Sequence, residues 1–271
     1  MTRLAVVGAT GLVGTKMLET IDRKHIQFDE LVLFSSARSA GKEIEFQGKT
    51  YTVQELTEEA ASEKFDYVLM SAGGGTSKQF APIFEKAGAI VIDNSSQWRM
   101  ANDVDLIVPE VNQPEFKRGI IANPNCSTIQ SVVPLKVLYD AFGLKRVAYT
   151  TYQAVSGSGI KGKRDLAEGA NGKAPEAYPH PIYNNVLPHI DVFLEDGYTK
   201  EEQKMIDETR KILGQPDLRV TATCARVPVQ DSHSVEIDVT LDKEATVQEI
   251  KDLFENDNRV VLVDNPENNE Y

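Results

Sequence analysis

The first half of the chain is punctuated by short apolar runs at residues 4–7, 31–34, 67–70, 90–93, 106–108 and 120–122. Each has the length of a buried strand rather than a buried helix. Between them, the segment following Gly14 to about Ile21 and residues 77–86 repeat their apolar positions at helical spacing. Strands alternating with helices over residues 1–122 predict a doubly wound parallel sheet of Rossmann type. Residues 43–51 predict an inserted hairpin. After Asn123-Pro124 the pattern changes. Ser127 and Thr128 open an apolar run, 129–142, that predicts a helix. Residues 147–152, 219–226 and 234–241 then show the in-out alternation expected of antiparallel strands, with helices predicted at 200–213 and 247–254. Residues 156–198, rich in Gly, Pro and Asn, predict a long irregular excursion. The expected fold is an α/β chain, with a Rossmann-type domain over 1–125 and an α+β domain over 126–271.

Composition narrows the class. Of 271 residues, 41% are hydrophobic and 26% charged, which is ordinary for a globular protein, and there is no repeat or low-complexity segment. No apolar run reaches membrane length, and Met1-Thr2-Arg3 leads directly into the first strand, so neither a signal peptide nor a membrane partner is expected. A formal net charge of −12 argues against nucleic acid as a partner. It also means that an anionic substrate needs a local cluster of Arg, Lys and His. Two cysteines, Cys126 and Cys224, make no disulfide framework. A reactive Cys126 requires a reducing compartment, and the cytoplasm is expected. No metal-ligand spacing is present.

Three stretches carry chemistry. Gly8-Ala9-Thr10-Gly11-Leu12-Val13-Gly14 follows a strand and opens a helix, the context in which glycines bring backbone close to a pyrophosphate. Gly8, Thr10, Gly11, Leu12 and Val13 are therefore candidate cofactor contacts. The next strand ends in Ser35-Ser36-Ala37-Arg38-Ser39, where an NAD site usually carries an acidic residue. Ser36, Arg38 and Ser39 suit a 2′-phosphate instead, and NADP(H) is the expected cofactor. The loop Ala72-Gly73-Gly74-Gly75-Thr76 lies at the carboxyl end of a strand, where such sheets bind ligands, and adds Gly73 and Thr76. Ser156 and Gly157, in a second small-residue loop, are further candidates.

The third stretch is Asn123-Pro124-Asn125-Cys126-Ser127-Thr128. It places Cys126 at or beside a helix N-terminus, where N–H groups and the helix dipole favour a thiolate and an oxyanion. A buried, inert cysteine behind a turn is the competing reading. Gln153 ends a strand. Arg226 and His233 flank a turn between two strands, where a histidine serves either as acid or base or as a hydrogen-bonded surface group. Glu201 and Lys204, at i and i+3, form a site pair or only a surface ion pair. Arg99, after Asn94-Ser95-Ser96-Gln97-Trp98, is equally open.

Taken together, VVGATGLVG (6–14), SSARSAGK (35–42), MSAGGGTS (70–77), VIDNSSQWR (91–99), VPEVN (108–112), ANPNCST (122–128), TYQAVSGSG (151–159), HPIYNNVLPHID (180–191), EEQKMIDETRKIL (201–213) and CARVPV (224–229) with His233 resemble the bacterial branch of the aspartate-β-semialdehyde dehydrogenase family. The resemblance implies NADPH-dependent reduction of β-aspartyl phosphate to L-aspartate 4-semialdehyde and phosphate, in the route to lysine, methionine, threonine and diaminopimelate. It implies Cys126 as acyl-accepting nucleophile, His233 as acid/base and Gln153 as the group orienting the thioester carbonyl. Arg226, Glu201 and Asn125 would bind the substrate, with Arg226 on its carboxylate and Glu201 on its ammonium. Arg99 and Lys204 would take the phosphate, and 126–271 would be both catalytic and dimer-forming, giving a homodimer or a tetramer. N-acetyl-glutamyl-phosphate reductase shares this chemistry, and a carboxylate at Glu201 favours the free ammonium of aspartate. The resemblance also implies further strands and a helix beyond Tyr271, so that 260–263 is expected to be an exposed edge segment. An inactive cofactor-binding fragment is then a third reading.

Overall fold

The structure, a computed structural model, describes residues 1–271. It contains two compact units, Met1–Ile107 with Pro114–Pro124, and Val108–Gln113 with Asn125–Tyr271.

The first unit begins β1 (Arg3–Val7), α1 (Leu12–Arg23), β2 (Glu30–Ser35), then the antiparallel hairpin β3 (Glu43–Phe46) and β4 (Lys49–Thr52). There follow β5 (Gln54–Glu55), α2 (Glu58–Ala61), β6 (Tyr67–Met70), α3 (Gly74–Lys86), β7 (Ile90–Asp93), β8 (Asp105–Leu106) and β9 (Ile120–Ala122). Seven strands form one sheet in the order β5-β2-β1-β6-β7-β9-β8, every pairing parallel. Parallel strands covered on both faces read as continuous apolar runs, as Leu4 to Val7 and Leu31 to Phe34 do, all of them buried. Helix α3 starts earlier than expected. Gly74, Gly75 and Thr76 form its first turn behind Gly73, so the glycine-rich stretch is largely helical rather than a loop. Its glycines lower helix propensity, but the end of β6 forces the chain to turn there. The strand expected at 106–108 is Asp105–Leu106, because Val108 belongs to the other unit.

In the second unit, α4 (Cys126–Phe142) is followed by β10 (Leu144–Gln153), α5 (Gly159–Gly169), α6 (Lys200–Leu213), β11 (Arg219–Arg226), β12 (Ser234–Leu241) and α7 (Val247–Glu255). The sheet order is β11-β10-β12. Here the expectation of antiparallel strands is corrected: β10 and β12 are antiparallel, but β10 and β11 run parallel. A half-buried strand alternates identically in either sense. The deciding feature is the long crossover through α5 and α6, which a parallel pair requires. The excursion over 156–198 is likewise corrected, since it contains helix α5. Three glycines, Gly159, Gly162 and Gly169, mask its helical pattern in the sequence.

Helix α4 is apolar around most of its circumference, as suits a helix packed on α6, β10 and β12 together. Helix α6 is amphipathic, begins with the capping box Thr199–Glu202 and ends at Gly214 in the left-handed conformation. Residues 260–263 form no strand, but the exposure expected of them is present, with Val261 88% and Val263 54% exposed. They line a cavity of about 660 Å³ with Ile129, Val133, Pro134 and Phe254. No helix is long and apolar enough to cross a membrane.

Candidate active site

The nucleotide candidates of the first unit converge. A cleft of about 450 Å³ is lined by Gly8, Thr10, Gly11, Ser36, Arg38, Ser39 and Thr76, together with Ser35 and Ser71. No acidic side chain lines it, although the chain as a whole is strongly acidic. Thr10 and Ser35 link the two loops through their hydroxyls at 2.9 Å. The first turns of α1 and α3 also contain no acidic residue, leaving the positive ends of both helices uncompensated. Close packing explains Gly14: a Cβ there would lie 2.2 Å from the carbonyl oxygen of Gly8. The helix can therefore begin hard against the strand end, with its N–H groups at the cleft. Leu12 and Val13 open α1, and Gly73 caps α3, without lining the cleft. These features fit a dinucleotide with an additional phosphate.

Arg99 belongs to the same unit. It is buried, with Nε donating to the Asn123 carbonyl at 2.9 Å and Nη2 to that of Asn94 at 3.0 Å. Part of its hydrogen-bonding capacity thus pins two loop carbonyls.

The second unit brings together Asn125, Cys126, Gln153, Glu201, Lys204, Arg226 and His233. Cys126 is the first residue of α4 and is exposed. Its Sγ lies 3.2 Å from His233 Nε2. The other ring nitrogen, Nδ1, accepts the backbone N–H of Ala154 at 2.9 Å. A backbone N–H can only donate, so the ring proton resides on Nε2 and faces the sulfur. Burial disfavours the imidazolium, and the nearby Arg226 adds to this, so His233 sits below its ordinary pKa. The histidine meets the cysteine as a neutral donor.

Arg226 is buried at the end of β11, its Nη1 donating to the Ala154 carbonyl at 2.8 Å, with the Tyr178 ring 6.0 Å from its guanidinium carbon. Gly157 makes room for it, since a Cβ there would approach Nη1 to 3.1 Å and the His233 ring to 3.8 Å. Gly157 thus lies beside Arg226 and His233.

Glu201, 5% exposed, is the hub of the polar network. It accepts from Asn125 Nδ2 at 2.8 Å and Gln153 Nε2 at 3.2 Å, and pairs with Lys204 at 3.1 Å. Burial opposes its ionisation, but the Lys204 ammonium and these amides prevail and hold its pKa below the usual value. Lys204 also pairs with Asp191 at 2.8 Å. Burial lowers its pKa, but the charge of Glu201 and the bond to Asp191 prevail and raise it. The i, i+3 pair is thus half of a buried network, not a surface ion pair. Cys224 is fully buried on β11, and burial pushes its pKa up to about 12.

Sequence reasoning missed two partners. Glu208 accepts the Asn125 backbone N–H at 2.6 Å across 83 residues, and the Ala154 N–H fixes the histidine tautomer. The only sequence signal for Glu208 was its spacing of seven from Glu201, two turns along one helix face.

Two family models match the chain: the semialdehyde dehydrogenase NAD binding domain over residues 3–118 and the semialdehyde dehydrogenase dimerisation domain over residues 135–271. Aspartate-semialdehyde dehydrogenase from Aquifex aeolicus is 51% identical over 280 residues, covering 99% of this chain and 82% of that protein. The Bacillus subtilis enzyme of the same name is 44% identical over 284 residues, again covering 99% and 82%. Among solved structures, aspartate semialdehyde dehydrogenase II complexed with ASA from Vibrio cholerae superposes with a TM-score of 0.90 at 44% identity, covering 94% of this chain and 79% of that one. Aspartate semialdehyde dehydrogenase with NADP from Candida albicans gives a TM-score of 0.73 at 27% identity, covering 94% and 76%. The chain belongs to the aspartate-semialdehyde dehydrogenase family.

Proposed function

We propose that this chain reduces β-aspartyl phosphate to L-aspartate 4-semialdehyde, with NADPH as reductant and release of phosphate, through a thioester on Cys126. The observation that carries the reading is the exposed Cys126 at the start of α4, 3.2 Å from Nε2 of a histidine whose other ring nitrogen accepts the Ala154 N–H. In the acylation step the Cys126 thiol gives up its proton, the sulfur bonds to the acyl carbon, the carbonyl oxygen becomes an oxyanion, and its collapse breaks the bond from carbon to the phosphate oxygen, so that phosphate leaves carrying the proton as hydrogen phosphate. The His233 Nε2–H stabilises the thiolate before attack, and the N-terminal dipole of α4 adds to this. When bound, NADPH supplies a hydride to the acyl carbon. The resulting hemithioacetal oxygen is held by the same Nε2–H donor until the carbon–sulfur bond breaks and the thiolate returns.

Gln153, held by Glu201, orients the thioester carbonyl. Arg226 receives the substrate carboxylate as a planar two-point donor. Glu201 receives the ammonium; an ionised carboxylate there favours a free amine over an acylated one, which separates this reading from N-acetyl-glutamyl-phosphate reductase. Asn125 supports the substrate from the helix cap. Lys204 and Arg99 bind the phosphate. Gly8, Thr10, Gly11, Leu12, Val13, Ser36, Arg38, Ser39, Gly73 and Thr76 bind the nucleotide, and Ser156 with Gly157 its reactive end. The NADP-binding domain expected over 1–125 is the first unit, without Val108–Gln113 and Asn125, and the second unit forms the catalytic and dimerisation domain of a cytoplasmic homodimer or tetramer. The product feeds lysine, methionine, threonine and diaminopimelate synthesis. Phosphate-dependent reduction of NADP by the purified chain with aspartate semialdehyde tests the reading. Absence of any dependence on phosphate, or on the semialdehyde, overturns it.

A further inference from the structure

Asn125 is held by more groups than a helix cap needs. Its side-chain Oδ1 accepts the N–H groups of Ser127 and Thr128 at 2.9 and 3.2 Å, the ordinary N-cap pattern. Its own backbone N–H is the group that, in a capping box, an acidic residue at the third helical position would accept. That position in α4 is Thr128, which carries no carboxyl group and whose hydroxyl faces Asn125 Oδ1 instead. The acceptor comes instead from another helix: Glu208 Oε2 on α6, at 2.6 Å. Glu208 is 1% exposed and Asn125 6%, so neither has water as a ready substitute partner. Glu201, seven residues earlier on α6, takes the Asn125 side-chain Nδ2 at 2.8 Å. Two carboxyl groups on one face of α6 therefore grip both the main chain and the side chain of the residue immediately before Cys126.

We infer that Glu208 is a positioning residue for the nucleophile, completing the cap of α4 in trans and setting the direction in which Cys126 leaves the turn. The helix that carries Glu201 and Lys204 is by this bond held in register with the cysteine. A chain free to rotate at Asn125 would move Sγ away from the 3.2 Å contact with His233. Small misplacements of a reacting atom are costly to rate, on the order of a hundredfold for about 1 Å. The role in turnover rests on the function proposed above. The role in placing Cys126 does not.

The experiment compares wild type with E208A, E208Q and E208D, in the full chain. The first readout is the rate of Cys126 carbamidomethylation by iodoacetamide, located by peptide mapping and needing no substrate. The second is kcat against KM for aspartate semialdehyde and for NADP. We expect E208A to slow alkylation and lower kcat about tenfold or more, with KM for NADP unchanged. E208Q keeps a carbonyl acceptor for the Asn125 N–H and is expected to recover most of the loss. E208D withdraws the carboxyl by one methylene and is expected to behave like E208A. If E208A does not fold, the contrast between E208Q and E208D decides. Folded E208A or E208D with alkylation and kcat within about threefold of wild type overturns the inference, even where melting temperature falls. Failure of turnover in wild type, with the alkylation differences intact, overturns the proposed function alone.

Discussion

The backbone N–H of Ala154 donates to Nδ1 of His233 at 2.9 Å, and this bond decides what the histidine can do for Cys126. With Nδ1 occupied as an acceptor, an imidazolium would have to point a second N–H at the Ala154 N–H. The neutral Nε2–H form is favoured both by this geometry and by the depressed pKa that burial and Arg226 impose.

A histidine with a folded pKa below 6.5 binds fewer protons than the unfolded chain just below that pH. Its contribution to stability is fully present above 6.5 and is lost as pH falls from 6.5 toward the folded value. Catalysis that uses the neutral donor holds level as pH falls through 6.5 and declines only below it. Nitrogen-15 NMR of His233 is expected to report the Nε2–H tautomer at pH 6.5. A half-protonated ring at that pH would contradict the assignment.

Arg38 lines the first unit's cleft with Ser36 and Ser39. Arg38→Ala is expected to weaken NADP far more than NAD. Loss of a charge-assisted contact costs about 1.5–3 kcal/mol, roughly ten- to a hundredfold in Kd. Titration calorimetry with both cofactors checks this, and equal weakening of the two removes Arg38 from the role.

Arg226 combines a bond to the Ala154 carbonyl at 2.8 Å with a guanidinium carbon 6.0 Å from the Tyr178 ring. Arg226→Lys keeps the charge but loses the fork, so KM for aspartate semialdehyde is expected to rise and kcat to fall. The affinity for NADP is expected to stay unchanged. Steady-state kinetics with wild-type KM and kcat in the lysine variant would show that the fork is not used.

Much of this arrangement was legible in the sequence because it is local. The Cys126 helix start, the boundaries of α6, β11 and β12, and the glycine turn before α1 each follow from a few neighbouring residues. What was not legible depends on residues far apart. The parallel sense of β10 and β11 is set by a crossover, and solvent-facing alternation along a strand carries no information about it. Helix α5 was hidden by glycines that pack closely, as at Gly162, where a Cβ would lie 2.5 Å from the Val155 carbonyl oxygen. The grip of Glu208 on Asn125, and that of Ala154 on His233, are main-chain hydrogen bonds across 83 and 79 residues. No residue pattern signals a backbone donor.

The central claim is that Cys126 carries the acyl group. Mixing the protein with aspartate semialdehyde and NADP in the absence of phosphate, quenching in acid and mapping the peptides by mass spectrometry tests it most directly. The account predicts an aspartyl thioester on Cys126, discharged when phosphate is added and absent from Cys126→Ser, with Cys224 unmodified in its buried position. An acyl adduct on another residue, or turnover that survives Cys126→Ser, would contradict it.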